Sequence, residues 1–283
     1  SQHPYRKWVE GNSVELSQLP KREHVNHSGQ SVQRRQRAFG YTEEDLKLLL
    51  APMANTGKEP LGSMGNDTPL AALSKHSRML FDYFTQKFAQ VTNPPLDWER
   101  EKIVTSLESA IGPELNLLAD SELHAKKILI PLPVLNSDEM AQLKRLDRAK
   151  ILDGYYKPFI VKGLYQVAGG GQALKDRLDE IFQEIDEAIE NGANFLVLSD
   201  RDSNYAWGPI PSLLLTSAVQ HHLLRRHTRT QISMVVEAGD VREIHHVALL
   251  IAYGAAAVNP YLAFESVEDL SRKGYQIGRA SCR

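Results

Sequence analysis

Three short, uninterrupted apolar runs between residues 195 and 261 constrain the fold of this chain most strongly. They read Phe-Leu-Val-Leu-Ser-Asp (195–200), Ile-Ser-Met-Val-Val-Glu-Ala-Gly-Asp (232–240) and Ala-Ala-Ala-Val-Asn-Pro (255–260), and each ends in a polar cluster. Continuous apolar runs suit strands that are buried on both faces, which indicates a parallel sheet. The segments between them have helical length, so the sequence predicts alternating strands and helices.

The segments around these runs carry apolar residues at helical spacing. Between Gly171 and Ala193, steps of three and four residues place one apolar stripe on a helix, and Gly192 is well placed to end it. That stripe consists of Leu174, Leu178, Ile181, Ile185 and Ile189. Segments 213–224 and 244–251 show similar spacing. Three predicted helices, each with one apolar face, indicate a sheet that is covered by helices.

The first half of the chain is typical of helices and loops. Thr42-Glu-Glu-Asp45 marks a helix N-terminus, and we expect Pro52 to stop that helix. Further helices are predicted at about 75–90 and 97–108, with a capped helix start at Ser137. Short strands are predicted at 128–130, 159–161 and 164–165. About four or five strand–helix units fit, fewer than the eight of a closed barrel. The predicted fold is therefore α/β, an incomplete TIM-barrel-like parallel sheet with a helical, loop-rich N-terminal half.

Composition excludes several classes of protein. The chain has 283 residues, a net charge of −2 and 24% charged residues, so a general nucleic-acid-binding surface is not expected. The basic clusters Lys21–Arg22 and Arg34–Arg35–Arg37 are interpreted as a solvated linker face. No apolar run reaches the roughly 18 residues of a membrane span. The single cysteine, Cys282, excludes a disulfide framework and indicates a reduced, cytoplasmic setting.

Three local motifs have a simple structural explanation. Gly169-Gly170-Gly171 lacks the order of a nucleotide-binding loop, so a tight turn into a helix is favoured over a phosphate site. Leu61-Gly-Ser-Met-Gly65 lacks the first glycine of a nucleophile elbow. The pairs His221–His222 and His245–His246 point about 100° apart on a helix, so neither pair chelates one ion. Glu243 with His246 has Glu-x-x-His spacing but no second copy, and partly exposed helix histidines are expected.

Polar residues that follow the predicted strands form the strongest candidate site. The carboxyl ends of parallel strands meet at one edge, where barrel-like folds place function. Composition leaves open whether this rim binds a ligand or contacts another domain. The candidate rim, with two residues from the loop at 55–69, consists of Asn66, Asp67, Arg201, Asp202, Asn204, Glu237, Asp240, Arg242, Asn259 and Tyr261.

The same strand ends carry a family resemblance. Residues 198–201 (Leu-Ser-Asp-Arg), 236–243 (Val-Glu-Ala-Gly-Asp-Val-Arg-Glu) and 253–262 (Tyr-Gly-Ala-Ala-Ala-Val-Asn-Pro-Tyr-Leu) resemble the central domain of the large subunit of glutamate synthase. Upstream, residues 65–74 and 88–97 are also similar to that family, although Trp98-Glu99 departs from its pattern. The resemblance covers most of the chain, from about Arg37 to Ser271.

The resemblance implies a connecting role within a larger enzyme. In this family an amidotransferase domain with an N-terminal cysteine hydrolyses glutamine. Ammonia then passes inside the protein to an FMN barrel with a 3Fe-4S cluster, where 2-oxoglutarate is aminated and reduced to glutamate. The central domain resembles that barrel without its cofactor. Its implied partners are the amidotransferase and FMN domains of the same polypeptide and an electron-donating small subunit or ferredoxin.

The implied organisation is a junction at residues 1–36, the central domain at 37–276 and a tail at 277–283. The missing initiator Met and the ending Gly-Arg-Ala-Ser-Cys-Arg suggest a piece of a longer chain. The parent is then an oxidoreductase, whereas this piece binds no cofactor or metal, has no catalytic residue and uses its rim for domain docking. One alternative is a stand-alone barrel enzyme, such as an aldolase or flavin oxidoreductase, that binds a small anion at the rim. Another is a scaffold whose rim serves solubility.

Overall fold

A computed structural model describes residues 3–24, 29–60, 73–75, 77–85, 97–149 and 151–275. The strands are β1 (Ser13–Glu15), β2 (Ser109–Ile111), β3 (Lys127–Ile130), β4 (Pro158–Lys162), β5 (Leu164–Gln166), β6 (Phe195–Ser199), β7 (Trp207–Pro209), β8 (Ser233–Glu237) and β9 (Ala257–Asn259). The helices are α1 (Tyr5–Asn12), α2 (Gly29–Ala38), α3 (Ala51–Thr56), α4 (Trp98–Val104), α5 (Ser137–Leu143), α6 (Leu146–Ala149), α7 (Gly170–Glu190), α8 (Ser212–Arg225), α9 (Ile244–Ala252) and α10 (Tyr261–Arg272). None of these helices is long and apolar enough to cross a membrane.

The main sheet has the order β4-β6-β8-β9, and every neighbouring pair is parallel. All five residues of β6 and all five of β8 are buried. Their apolar side chains point alternately to the two faces, and both faces are covered, which explains why these runs are continuous rather than alternating. The predicted parallel α/β sheet is confirmed.

Helix α7 covers one face of the sheet as its apolar spacing predicts. Ile181 and Ile185 are fully buried in the larger core cluster, with Leu196, Leu198 and residues of α8. Gly192 takes a left-handed φ of 87°, and its N–H donates to Ile189 O at 2.8 Å. Because only glycine adopts that conformation without strain, Gly192 ends the helix, as predicted.

The opposite face of the sheet packs on a smaller, mixed sheet from the N-terminal half. Its order is β1-β3-β2, with β1 parallel and β2 antiparallel to β3. Fully buried side chains join the two sheets in a second core: Ile111, Ile128, Ile130, Tyr156, Phe195, Val197 and Val235. The N-terminal strand β1 is therefore part of the packed body.

The main sheet is open in the part of the chain that the structure describes. Beyond β9, Leu135 N–H donates to Val258 O at 2.9 Å and Val258 N–H donates to Pro133 O at 2.8 Å, which continues the sheet. At the other edge, Pro158 of β4 has no N–H to offer, and Arg177 Nη2 donates to Lys162 O at 3.3 Å. No closed barrel is seen in this part of the chain.

The predicted stop at Pro52 is wrong. A π-helical segment over Asp45–Leu50 runs directly into α3, which ends at Gly57 with φ 68°. The predicted N-terminus is found, since Asp45 N–H donates to Thr42 Oγ1 at 3.1 Å. Pro52 lies in the first turn of α3, directly after the π-helical segment, and the helical path continues through it.

The predicted helix at 75–90 is also wrong where the structure describes it. Only a 3₁₀ turn, Leu80–Tyr83, is found, and Phe84 is extended; residues 86–90 lie outside the described residues. The cause is tertiary packing, because Phe81 is 1% exposed and its ring stacks on that of His246 at 4.2 Å. Helix α4 is found within the predicted 97–108 but ends at Val104.

Candidate functional site at the strand ends

Glu237, at the end of β8, is the centre of a buried charge network. It is 2% exposed. Its carboxylate accepts from Lys144 Nζ at 2.5 Å, from Arg201 Nε at 2.9 Å and from the Ser199 hydroxyl. Burial alone would raise the pKa of Glu237, but the Lys144 and Arg201 cations hold it below its ordinary value. Glu237 is therefore a buried carboxylate that stays ionised.

Arg201 carries this network from β6 to two helices. Its Nη1 lies 3.0 Å from Glu265 Oε1 on α10, and Glu265 Oε2 lies 2.9 Å from Arg35 Nη1 on α2. The Arg201 guanidinium also lies 4.3 Å from the centre of the Tyr261 ring. Charges alternate along Lys144, Glu237, Arg201, Glu265 and Arg35, so each buried ion has an opposite neighbour. We call these five residues the charge chain.

Arg242 forms a second connection, to the segment that precedes α3. Its Nη1 lies 2.6 Å from Asp45 Oδ2, and its Nη2 donates to the carbonyl of Phe39. The guanidinium stacks over Tyr41, whose hydroxyl donates to Gly239 O at 3.0 Å. Residues 39–45 are thereby held against the turn that follows β8.

Two aspartates near this turn have raised pKa values. Asp200 accepts from Gly239 N–H at 3.1 Å with both oxygens, and burial, then the charge of Asp240, raises its pKa well above the ordinary value. Asp240 accepts from Ser212 N–H at 3.0 Å, and its pKa is raised mainly by burial. These buried rim residues thus make hydrogen bonds and ion pairs mainly with other residues of the chain.

Asn259 and Tyr261 are completely buried at the end of β9. Asn259 Nδ2 donates to Leu135 O at 2.8 Å, and the backbone carbonyl of Asn259 accepts from Ala238 N–H at 3.1 Å. The Tyr261 ring packs edge-on against Phe39, with centroids 6.5 Å apart. Both side chains fill the space beyond the strand ends.

The remaining candidate residues are exposed or outside the described residues. Asp202 lies 3.3 Å from Lys162, and both side chains are 67% exposed. Asn204 is also exposed and closes the turn before β7, since its Oδ1 accepts from Ala206 N–H at 2.9 Å. Asn66 and Asp67 lie outside the described residues. The structure therefore brings together Arg201, Glu237 and Tyr261 directly, places Asp240, Arg242 and Asn259 beside them, and leaves Asp202 and Asn204 at the surface.

Sequence reasoning missed the partners of these residues. Lys144 and Glu265 carried no local signal, Asp45 was interpreted only as part of a helix N-terminus, and Arg35 was expected on a solvated face. That expectation is wrong for Arg35, which is 9% exposed. A basic residue in a polar segment looks the same whether it meets water or a distant carboxylate, so only the Arg35 partner on α10 distinguishes the two cases.

The weaker motifs have structural roles. The Gly169–Gly171 triplet forms the turn into α7, with Gly170 at φ 58°. His221 is exposed as expected, but partial exposure is wrong for His245 and His246, which are 6% and 3% exposed. Burial, then the Arg242 charge, lowers the pKa of His246 to about 3. Among the described residues no group of three side chains suited to a metal ion is found.

Comparison with known proteins identifies the family. Residues 34–281 match the family described as "Glutamate synthase central domain". The chain belongs to this family. It is 42% identical over 95% of its length to the glutamate synthase [NADPH] large chain of Bacillus subtilis, and 42% identical over 83% to glutamate synthase [NADH] of Schizosaccharomyces pombe. It is 38% identical over 99% to the chloroplastic ferredoxin-dependent glutamate synthase of Spinacia oleracea.

This glutamate synthase central domain spans only a small part of its relatives. It covers 17% of the Bacillus protein, 11% of the Schizosaccharomyces protein and 17% of the Spinacia protein. Among solved structures, a mutant flavocytochrome b2 with pyruvate bound aligns at 15% identity. The alignment covers 58% of this chain and 50% of the flavocytochrome chain. Its TM-score of 0.30 is too low to bear on the fold.

Proposed function

We propose that this chain is the connecting domain of a glutamate synthase. It joins a glutamine amidotransferase domain to an FMN synthase domain and helps to form the route of ammonia between them. The whole enzyme is an oxidoreductase that aminates 2-oxoglutarate and reduces the product to glutamate, while this chain performs no catalytic step. The family match over residues 34–281 carries the proposal.

The domain boundaries that fit this role are a junction at residues 1–36, the central domain at 37–276 and a tail at 277–283. The proposed junction is well anchored, because Val14 of β1 pairs with Ile128 of β3 and Arg35 reaches Glu265. A junction packed in this way would fix the position of a preceding domain relative to the main sheet.

The candidate rim serves this connection in two ways. A connector must hold two distant sites in register, which requires fixed elements, and the buried rim residues join the strand ends to α2, α10 and residues 39–45. The exposed Asp202 and Asn204 face neighbouring domains, with Asn66 and Asp67 as further members of the docking surface. The successive parallel strand–helix units support an incomplete, barrel-like arrangement.

The FMN and 3Fe-4S cluster of the enzyme belong to other domains. A 3Fe-4S cluster needs three thiolates, and this chain has one cysteine. Barrel cofactors bind beyond the strand ends, where the buried Arg201, Glu237 and Tyr261 already fill the space. The residues present therefore do not fit either group, and no step of the reaction is assigned to them.

The partners proposed are the flanking domains and an electron donor, either a small subunit or ferredoxin, with the cytoplasm as the setting. The three relatives compared above, which are named for NADPH, NADH and ferredoxin, are 38–42% identical to this chain. Similarity at this level does not separate the donors, which is expected if the donor docks on another domain.

A flavin titration of the purified 283-residue chain tests the absence of a cofactor site. We expect no quenching of FMN fluorescence while circular dichroism shows a folded protein. Stoichiometric quenching would instead make the rim an active site and support a stand-alone barrel enzyme for a small anionic substrate.

A stoichiometry measurement in the full-length enzyme tests the connecting role. Each 2-oxoglutarate takes up one ammonia, so glutamine hydrolysis and 2-oxoglutarate consumption remain equal while the two sites are coupled. We expect Asp202→Lys to raise glutamine hydrolysis relative to 2-oxoglutarate consumption. Glu43→Lys is the matched control, since Glu43 is also an exposed acid paired with a lysine, at 2.7 Å. Unchanged coupling in Asp202→Lys would remove Asp202 from the proposed docking surface.

A further inference from the structure

The turn between β6 and β7 displays an aromatic surface. Tyr205 is 98% exposed, and Trp207 and Val167 are each 46% exposed. Val167 joins the turn because its N–H donates to Ala206 O at 3.0 Å. We call Val167, Tyr205 and Trp207 the aromatic turn. Tyrosine and tryptophan are the side chains that most often anchor protein–protein contacts, because they combine a large apolar area with a polar tip.

The aromatic turn is held in one shape. Asn204 N–H donates to Trp207 O at 2.9 Å, and Asn204 Oδ1 accepts from the N–H groups of Ala206 and Trp207 at 2.9 and 3.2 Å. Strands β5 and β7 then pair through Gln166 and Trp207. Tyr205 is thus presented by a closed turn, so binding through it would lose little conformational entropy.

The base of the aromatic turn is fixed as well. Asp200 accepts from Gly239 N–H, and Arg201 pairs with Glu237 and Glu265 of the charge chain. Ser203 N–H donates to Asp200 O at 3.1 Å, which joins this buried base to the exposed tip. The loop therefore leads in five residues from the buried Asp200 to the almost fully exposed Tyr205.

The size of this surface decides between possible occupants. A tyrosine or tryptophan buries roughly 150–250 Å² at most, so the aromatic turn supplies a few hundred Å². A stable complex of separate molecules buries more than about 1,000 Å² over both partners together, or about 500 Å² on each. A domain on the same polypeptide needs much less, because tethering gives effective concentrations in the millimolar range. This chain spans 17% of relatives such as the Bacillus subtilis large chain, which leaves ample room for such a domain.

We propose that the aromatic turn docks into an apolar recess on another domain of the same polypeptide. The inference rests on the proposed function for the existence of that domain and adds the contact residues. Tyr205 is the anchor, Trp207 and Val167 flank it, and the Lys162–Asp202 ion pair lies on the same loop and the adjoining strand.

Hydrogen exchange followed by mass spectrometry tests this proposal. Amides of residues 203–208 are compared between the 283-residue chain and the full-length polypeptide. We expect exchange in this segment to be slower by about tenfold or more in the full-length polypeptide. Tyr205→Ala should abolish that difference, and because Tyr205 is exposed the variant should keep the circular dichroism spectrum of the parent. Tyr83→Ala, at an aromatic residue that is 60% exposed on another element, should keep the difference.

Equal exchange in the two proteins, or full protection in Tyr205→Ala, overturns the proposal. A dimer of the 283-residue chain in light scattering that Tyr205→Ala dissociates would also overturn it, in favour of a second copy as the occupant. The stoichiometry of glutamine use separates this inference from the proposed function. If protection depends on Tyr205 but Asp202→Lys leaves coupling unchanged, the docking inference stands and the proposed role of Asp202 fails. If Asp202→Lys impairs coupling but the segment shows no Tyr205-dependent protection, only the docking inference fails.

Discussion

The guanidinium carbon of Arg242 lies 4.0 Å from the centre of the Tyr41 ring. These residues are 201 positions apart, yet the contact is buried, with Arg242 7% and Tyr41 9% exposed. Arg242 also pairs with Asp45, so a single side chain fixes residues 39–45 to the turn after β8.

Arg242→Met should therefore destabilise the chain strongly. Asp45 and the Phe39 carbonyl lose their donor, and because the Asp45 side chain is 25% exposed we expect a cost of about 3 kcal/mol, the lower end for a buried ion pair. Urea unfolding of the 283-residue chain measures the change in the free energy of unfolding. Lys47→Met, which breaks the pair with Glu43, should cost far less, because both of those side chains are exposed to solvent. If both variants lower the free energy of unfolding by a similar amount, Arg242 does not fix residues 39–45 as described.

His246 predicts a loss of stability in mild acid. Its pKa is lowered from 6.5 to about 3 in the folded chain, so the unfolded chain binds an extra proton between these values. The stabilisation is complete above about pH 6.5 and falls by up to roughly 1.4 kcal/mol per unit as the pH drops toward 3. His246→Gln should flatten this dependence in urea unfolding at several pH values. His221→Gln, at an exposed helix position, should leave it intact.

Asp200 predicts the opposite dependence on pH. Its folded pKa lies well above the ordinary value, so the folded chain holds the proton more tightly than the unfolded chain. That contribution is present below about pH 4 and is lost as the pH rises through the folded pKa. The free energy of unfolding of the parent, relative to Asp200→Asn, should therefore decline as the pH increases from 4. Asp202→Asn, at the exposed neighbouring acid, is the control, and a flat difference for Asp200→Asn would refute the prediction.

Gly239 and Gly171 should respond differently to alanine. A Cβ on Gly239 would lie 2.7–2.9 Å from the Phe39 ring, which is itself buried against Tyr261. Gly239→Ala should cost about 1–3 kcal/mol through overpacking. A Cβ on Gly171 meets nothing within 4 Å on α7, so Gly171→Ala should be neutral or stabilising by up to about 1 kcal/mol. Thermal unfolding of both variants checks the order.

The sequence predicted what depends on local pattern. Continuous apolar runs gave β6, β8 and β9, and helical spacing with Gly192 gave α7. The predicted stop at Pro52 was wrong because the helical path continues from the π-helical segment into α3. The predicted helix around Phe81 was wrong because Phe81 stacks on His246, which is 165 residues away in the sequence.

The sequence predicted which residues lie at the strand ends but not which residues they contact. Residues at the strand ends are fixed by topology, so Arg201, Glu237 and Tyr261 were found together. Their partners were not, because Arg35 and Glu265 meet only when α2 and α10 pack. A charged side chain carries no local sign of such a distant partner, which is why the rim looked open in sequence and proved to be bonded within the chain.

The outer edge of β4 has a consequence for behaviour at high concentration. Pro158 lacks a backbone donor and Arg177 occupies the Lys162 carbonyl, so two of the positions that an incoming strand would use are blocked, one at each end of β4. Fibre growth by strand addition is disfavoured at this edge, although the sheet is open. The exposed Lys162 adds a charge that any approaching apolar strand would have to desolvate.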